Sequence, residues 1–319
     1  MTAAARRALA LIGAVLLLAL ASGVRTPAQS LQYERPVQVA PQQETIGGGY
    51  VTPDVQKPRP RDYWLQVLDV VLLAAAMGLA VWIVVSRRKR AWAFALSVAS
   101  LGYFGFYRQG CICPIGSIQN VSVALTDPAY SIPMVVTAVF FLPLVVAMFF
   151  GRASCGGVCP LGAIQEVVVL KPMQVPRRID RALGLLKYVY LFAAIALAIK
   201  PAIARDFLIC RFDPFIGFFR RDGFAHMMAL GGGFLVLGTV VGRPYCRYLC
   251  PYGVLLSWCT RLARRGVTIT PGKELDCGLC TAACPYGAIE GMRAVRKDCL
   301  YCARCYAACP CEKEVGVAV

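Results

Sequence analysis

Apolar residues in this chain gather into long uninterrupted runs, not into the short alternations of a soluble core. Five runs, at about 64–85, 91–107, 129–150, 185–204 and 224–242, approach the roughly 20 residues needed to cross about 30 Å of hydrocarbon, the second being the shortest. A further apolar stretch, Ala8 to Leu20, follows Arg6 and Arg7, and Ala19-Leu20-Ala21 offers small residues for cleavage. Residues 1–21 therefore read as a signal peptide or, if uncleaved, a signal anchor. Residues 22–63 are polar; four basic and four acidic side chains balance over 31–63, and Pro, Gln and Gly are frequent, as in an extended outer linker. The pattern predicts a mainly α membrane protein: a five-span helical bundle over 64–265, followed by a short C-terminal domain over 266–311 and a tail, 312–319.

Charge orients the bundle. Arg87, Arg88, Lys89 and Arg90 separate the first two runs with no acid among them, and Lys171, Arg177, Arg178, Arg181 and Lys187 follow the third against Asp180. Both loops are expected in the cytoplasm. The loop 108–128 carries only Arg108 and Asp127, and 205–222 mixes four basic with three acidic residues, so these two are expected outside. Five spans then leave everything after residue 243 in the cytoplasm, as a multi-pass inner (cytoplasmic) membrane protein would have it.

Composition agrees. The chain has 319 residues, 58% of them hydrophobic, against roughly 45–50% in an average soluble domain. Its mean hydropathy is +0.60. The formal charge of +17 lies beside the apolar runs, as positive-inside topology requires, so nucleic acid is not an expected partner. The 16 cysteines do not suit a disulfide scaffold, because the chain is neither short nor loop-rich.

Most of these cysteines belong to one recurring phrase: CPIGSIQ at 113–119, CPLGAIQ at 159–165, CPYGVLL at 250–256 and CPYGAIE at 284–290. Proline after the cysteine breaks regular structure, and the glycine two residues beyond the proline permits a tight turn. Such a turn aims backbone N–H groups at a thiolate sulfur, the setting of an iron–sulfur ligand. Near the C-terminus, Cys299-x2-Cys302-x2-Cys305-x3-Cys309-Pro310 is a full bacterial ferredoxin run. An upstream copy, Cys277-x2-Cys280-x3-Cys284-Pro285, has Glu274 where a cysteine is expected. In two-cluster ferredoxins the fourth cysteine of each run serves the other cluster. Cluster B would then take Cys284, Cys299, Cys302 and Cys305. Cluster A has Cys277, Cys280 and Cys309, with Glu274, Asp276 or Cys311 as a fourth ligand, a three-iron cluster, or no cluster as the alternatives.

Cys155-x3-Cys159-Pro160 and Cys246-x3-Cys250-Pro251 follow the third and fifth runs on the same expected face. Four thiolates at one level could hold one further four-iron cluster, the alternative being two pairs of packing or redox-active thiols. Cys111, Cys113 and Cys210 are expected outside, as an incomplete site or a disulfide. Cys259 reads as a buried thiol. Arg152, Arg243 and Arg247 flank the membrane-edge motifs, and their charge should raise a nearby cluster's potential.

At these motifs the chain resembles the membrane polyferredoxins of the NosR/NapH type over about residues 64–311, through Cys155/Cys159, Cys246/Cys250 and the ferredoxin run. The resemblance implies electron transfer through a membrane, from quinol or a cytoplasmic donor toward a periplasmic-side acceptor such as a reductase. No outer FMN-binding domain is evident, residues 31–63 being too few, and the Cys111-x-Cys113-Pro114 motif departs from the simpler NapH pattern.

Other residues add little. His226 is the sole histidine, so a b-type haem would need Met227, Met228 or another second ligand. Asp69, inside the first run, reads as a helix–helix hydrogen bond, with a quinone or proton site as the alternative. Gly231, Gly232 and Gly233 suggest close helix packing. No residue set suggests substrate catalysis. The expectation is an iron–sulfur electron carrier with one to three [4Fe–4S] clusters, the ferredoxin-like domain being small, α+β and cytoplasmic. The far side is about 30 Å from the membrane-edge site, so a further carrier is expected, from Cys111, Cys113 and Cys210 or a bound quinone. A redox-sensing or maturation protein, and a quinol-oxidising subunit of a reductase complex, are the alternatives.

Overall fold

The first apolar run folds into helix α1 (Tyr63–Trp82), which widens into a π turn at Ile83–Arg87 and stops where Arg88 turns left-handed at φ 54°. Helix α2 (Arg90–Ser100) continues likewise into a π segment, Leu101–Tyr107. The protein is seen in a computed structural model that describes residues 62–110, 114–127, 130, 132–170, 172–199, 213–220, 225–263, 277–290 and 293–310. The signal segment, most of the linker, Cys111, Cys113, Cys210, Glu274, Asp276, Cys311 and the tail lie outside the described residues, as does the side chain of His226.

The fold is mostly helical. After α2 come α3 (Pro114–Thr126), α4 (Met134–Phe150), α5 (Ala153–Gly157), α6 (Pro160–Val168), α7 (Arg177–Gly184) and α8 (Leu186–Ile199). Then follow α9 (Pro214–Arg220), α10 (Ala225–Gly238), α11 (Pro244–Tyr248) and α12 (Pro251–Cys259). The C-terminal part holds α13 (Leu279–Ala283), strands β1 (Ile289–Glu290) and β2 (Arg293–Ala294), and α14 (Arg304–Ala308). The strands pair antiparallel, Ile289 opposite Ala294 and Glu290 opposite Arg293.

Two stretches are long and apolar enough to cross a membrane by length and composition: Tyr63–Arg87, of 25 residues, and Arg178–Ile199, of 22. Met134–Phe150 and Met227–Gly238 are apolar but shorter. The third run starts late because Pro133 delays its helix to Met134, and the fifth ends early in turns after Gly238.

Residues 108–128, expected as an outer loop, instead contain α3, packed against α8 and α4. Its polar residues disguised it. Ser117 and Ser122 turn their hydroxyls back onto the carbonyls of Pro114 (2.6 Å) and Ile118 (2.8 Å), so they can be buried inside a helix, and half-buried Asn120 donates to Gly116 O (2.7 Å). Ile118 joins Tyr252, Val254 and Leu256 in one core. Asp69 is fully buried and ties α1 to the second helix: Tyr103 donates to its Oδ1 at 2.8 Å, and Arg108 pairs with its Oδ2 at 2.9 Å. That is the helix–helix role expected of it. Of the three glycines in α10, only Gly231 meets a neighbour, Pro214 O, while a side chain at Gly232 or Gly233 would meet open space. Cys259 is half-buried, not buried, because it ends α12 at the rim of that core.

The C-terminal part shares its core with the bundle. Cys280, Cys284, Tyr286, Leu300, Tyr301, Tyr306 and Cys309 are buried in one continuous cluster with Met77, Ala80, Val84 and Val146.

Candidate metal centre

Each Cys-x3-Cys-Pro motif folds the same way because its prolines and cysteines dictate it. Cys159 (φ −67°, ψ 117°) and Cys250 (φ −60°, ψ 110°) are extended residues preceding a proline at the first helical position of α6 and α12. The free N–H groups of the new helix then face the sulfur: Leu161 and Gly162 bond to Cys159, and Gly253 to Cys250. The glycines are required by close approach. A methyl at Gly162 would stand 2.6 Å from Cys155 O, and one at Gly253 would stand 2.9 Å from an Arg152 Nη.

The two motifs face one another. Cys159 lies within electrostatic reach of Cys246 and Cys155, Cys250 of Cys159 and Cys155, and Cys246 of Cys250 and Cys155. This first quartet is thus Cys155, Cys159, Cys246 and Cys250. Burial, reinforced by neighbouring thiols, pushes Cys159, Cys246 and Cys250 up to about 12. These three can become thiolates together only if cations take the protons' place.

Each motif also lends an arginine to the other. The guanidinium of Arg152, three residues before Cys155, lies against Gly253; that of Arg243, three residues before Cys246, lies against Gly162 and donates to Cys155 O at 2.6 Å. Burial opposes the charge on Arg152, but Cys155, Cys250 and Cys246 hold it on. Burial likewise opposes the charge on Arg243; Tyr286, Glu166, Cys246 and Cys302 sustain it. Arg152 Nε and Arg243 Nη2 are buried donors with no acceptor among the described residues. An anionic iron–sulfur cluster between the thiols would give them one. Arg247, expected to flank the quartet, instead pairs with Asp180 at 2.7 Å and donates to Pro285 O at 3.2 Å.

A second quartet forms in the C-terminal part. Cys305 lies within electrostatic reach of Cys302, Cys299 and Cys284, and Cys299 of Cys302 and Cys284. All four thiols line one cavity, with Tyr286, Leu300, Tyr301 and Arg304. Tyr301 and Ala303 are left-handed at φ 57° and 59°, which curls the loop 299–305 so that its amides face inward. Tyr301, Arg304 and Tyr306 N–H groups bond to Cys299, Cys302 and Cys305, and Ala288 N–H to Cys284 Sγ at 3.4 Å. Burial pushes Cys299 up to about 12 and Cys302 up to about 11.

Among the described residues no three His, Cys, Asp or Glu side chains converge on a single metal ion. In a four-iron cluster each thiolate binds its own iron, so its ligands stand further apart than those of a lone zinc. Both quartets fit that group. Of the cluster A set, Cys280 and Cys309 share the buried core while Cys277 is exposed, and α13, which carries Cys280, packs against α14, which ends just before Cys309.

Several residues here escaped the sequence reading. Gln165, fully buried, donates Nε2–H to Cys246 Sγ at 3.2 Å and accepts Tyr245 N–H on Oε1 at 3.0 Å. Hydrogen bonds to ligand sulfur raise a cluster's potential. Gln165→Leu should therefore lower the midpoint potential of the first site with iron content unchanged, as an EPR-monitored redox titration would read. Glu166 pairs with Arg243 Nε (3.0 Å), Arg304 (3.0 Å) and Arg90 (3.4 Å) and accepts from Tyr286 at 2.9 Å. The signal was present in the last letters of CPLGAIQE, a lone acid beside basic loops.

Comparison with known proteins points the same way. A family model described as a 4Fe-4S binding domain matches residues 132–174 and 224–270. These two stretches contain the two motifs of the first quartet. YccM of Escherichia coli (strain K12), provisionally named an electron transport protein, is 28% identical over 145 residues, covering 43% of this chain and 40% of YccM. Protein NirI of Paracoccus denitrificans (strain Pd 1222) is 29% identical over 147 residues, 43% of this chain and 20% of NirI. An uncharacterized protein of Methanocaldococcus jannaschii, MJ0749, is 33% identical over 76 residues, 24% of this chain and 31% of its own. The chain thus spans less than half the length of each of these relatives. No solved structure matches it. The family match and the thiol geometry together support an iron–sulfur protein.

Proposed function

We propose that this chain is a membrane iron–sulfur electron-transfer protein, carrying electrons between a cytoplasmic or quinol donor and an acceptor on the far side. What carries the reading is two thiol quartets, buried or half-buried, with a 4Fe-4S binding domain match over the first. The name of YccM, an electron transport protein, agrees in kind. When bound, [4Fe–4S] clusters supply one-electron redox capacity. Cys155, Cys159, Cys246 and Cys250 would hold one cluster, Cys284, Cys299, Cys302 and Cys305 a second, and Cys277, Cys280 and Cys309 part of a third.

The protein's own contribution is electrostatic. Arg152 and Arg243 bring positive charge to the first quartet, and backbone N–H groups and Gln165 give the sulfurs their hydrogen bonds. Burial of the thiols keeps water away from them. The bilayer, a redox partner protein such as a periplasmic reductase, and the quinone pool are the partners this reading calls for. The five-span bundle with its C-terminal part in the cytoplasm is the topology it favours, supported by two helices of crossing length and by the placement of basic loops. Cys111, Cys113 and Cys210 are the residues from which a carrier toward the far side would be built.

Anaerobic iron and acid-labile sulfide counting with EPR tests the reading. At four irons per cluster, about twelve are expected in the wild type and about eight in the Cys155→Ala/Cys246→Ala double variant. A count near four that does not respond to the double variant would reduce the first quartet to packing thiols.

A further inference from the structure

Between the two quartets lies a buried carboxylate that neither cluster needs as a ligand. Glu166 is 4% exposed, on α6 below Cys159. It is surrounded by side chains from four separate segments: Arg90 at the start of α2, Arg243 just before α11, Tyr286 after Cys284, and Arg304 inside the loop that carries Cys302 and Cys305. We propose that Glu166 is a positioning residue that fixes the second cluster site against the first and couples the redox potentials of the two. This rests on the reading that both quartets hold clusters.

Every partner of Glu166 is one step from a ligand. Arg243 donates its Nη1–H to Cys155 O at 2.6 Å while its Nε–H goes to Glu166, and its charge is felt at both Cys246 and Cys302. Arg304 offers its backbone N–H to Cys302 and its guanidinium to Glu166. Arg90 reaches Glu166 and Cys302 O, both at 3.4 Å. Tyr286 lines the cavity of the second quartet and donates to Glu166 at 2.9 Å. The carboxylate is thus the common acceptor for groups that touch both sites.

A buried ionic set is by itself weak evidence of a stabilising role. Apolar residues of the same volume often replace a buried ionic set without loss, whereas removing one member leaves the rest uncompensated. Three guanidiniums around one carboxylate leave a net positive charge between two thiolate-rich sites. That charge favours the reduced form of whatever cluster lies beside it, and Glu166 limits how far.

Glu166→Gln tests this in the full chain, reconstituted anaerobically with iron and sulfide. The amide keeps the shape and removes the charge. The expected result is an iron count equal to wild type, a rise in the midpoint potentials of both clusters together, and loss of the spin–spin broadening between them in the reduced EPR spectrum. Glu166→Asp, which restores the charge on a shorter arm, should return the potentials toward wild type while the broadening stays altered. It also decides the matter should the Gln variant fail to fold. A lowered thermal midpoint with potentials and broadening unchanged would make Glu166 merely structural and overturn the proposal. A wild type lacking iron at either quartet would overturn the underlying reading, and that failure is visible before any variant is made.

Discussion

Replacing Gly156 with Leu should separate the two quartets while leaving each able to bind iron. Gly156 lies between Cys155 and Cys159, where α5 meets the Cys299–Cys302 loop backbone to backbone. A Cβ at this position would stand 2.5 Å from Leu300 O and 2.8 Å from Tyr301 O. Both obstacles are main-chain carbonyls held by the left-handed turn at Tyr301, so no side-chain rotation relieves the clash. The loop must move away, at an overpacking cost of about 1–3 kcal/mol. Each quartet is assembled on its own side of this contact: the first by α5, α6, α11 and α12, the second by the loop 299–305 with Cys284. Iron content should therefore persist. What should vanish is the magnetic broadening between the clusters and rapid electron equilibration between them, read by EPR and by single-turnover reduction. Gly156→Ala should give a smaller loss in the same direction. Broadening unchanged in Gly156→Leu would mean that this backbone contact does not set the spacing.

That contact shows where sequence reasoning stopped. The Cys-x3-Cys-Pro spacing, the turn chemistry of Pro and Gly, and the flanking Arg152 and Arg243 are local features, and the pattern of letters carries them. The grouping of Cys284 with Cys299, Cys302 and Cys305 was also expected, from the cross-ligation habit of ferredoxin runs. The rest depends on packing between distant segments. Gly156 looks like half of an ordinary Gly-Gly pair until Leu300 lies against it. Glu166 looks like one acid at a helix end until three arginines from remote segments converge on it. Helix α3 reads as a loop by hydropathy because Ser117, Gln119 and Ser122 are polar, although all three are buried. Hydropathy sums cannot see a hydroxyl that satisfies itself on its own helix.

Run lengths misled in a related way. The fifth apolar run counts residues through Gly238 into Thr239 and Val240, whose backbone bonds to Val236 and Leu237 close a turn, not a further helical stretch. Leu170 and Met173 then donate to the carbonyls of Thr239 and Val240 at 3.2 and 2.8 Å, pinning the segment after α6 to the segment before α11. The two motif halves are thereby tied outside the quartet itself, which lets the sulfurs meet without a covalent link.

The second large effect is expected from Cys284→Ala. Three thiols of the second quartet come from one tight loop, but the fourth reaches the cavity from a separate run, in which Cys277 and Cys280 precede it. If a cluster is held as this cavity suggests, the variant loses about four irons and the EPR signal of that cluster. Cys277, Cys280 and Cys309 keep whatever iron they hold. The substitution removes one small buried side chain, so helical content should be unchanged by circular dichroism, and loss of iron will report a lost ligand. Cys309→Ala should do the converse, because Cys309 does not line the cavity that Cys284, Cys299, Cys302 and Cys305 share. Cys284→Ala with the second quartet's signal intact, and iron lost instead from the Cys277/Cys280 set, would reassign Cys284 to its own run. The buried thiol facing Cys299, Cys302 and Cys305 would then be a bystander.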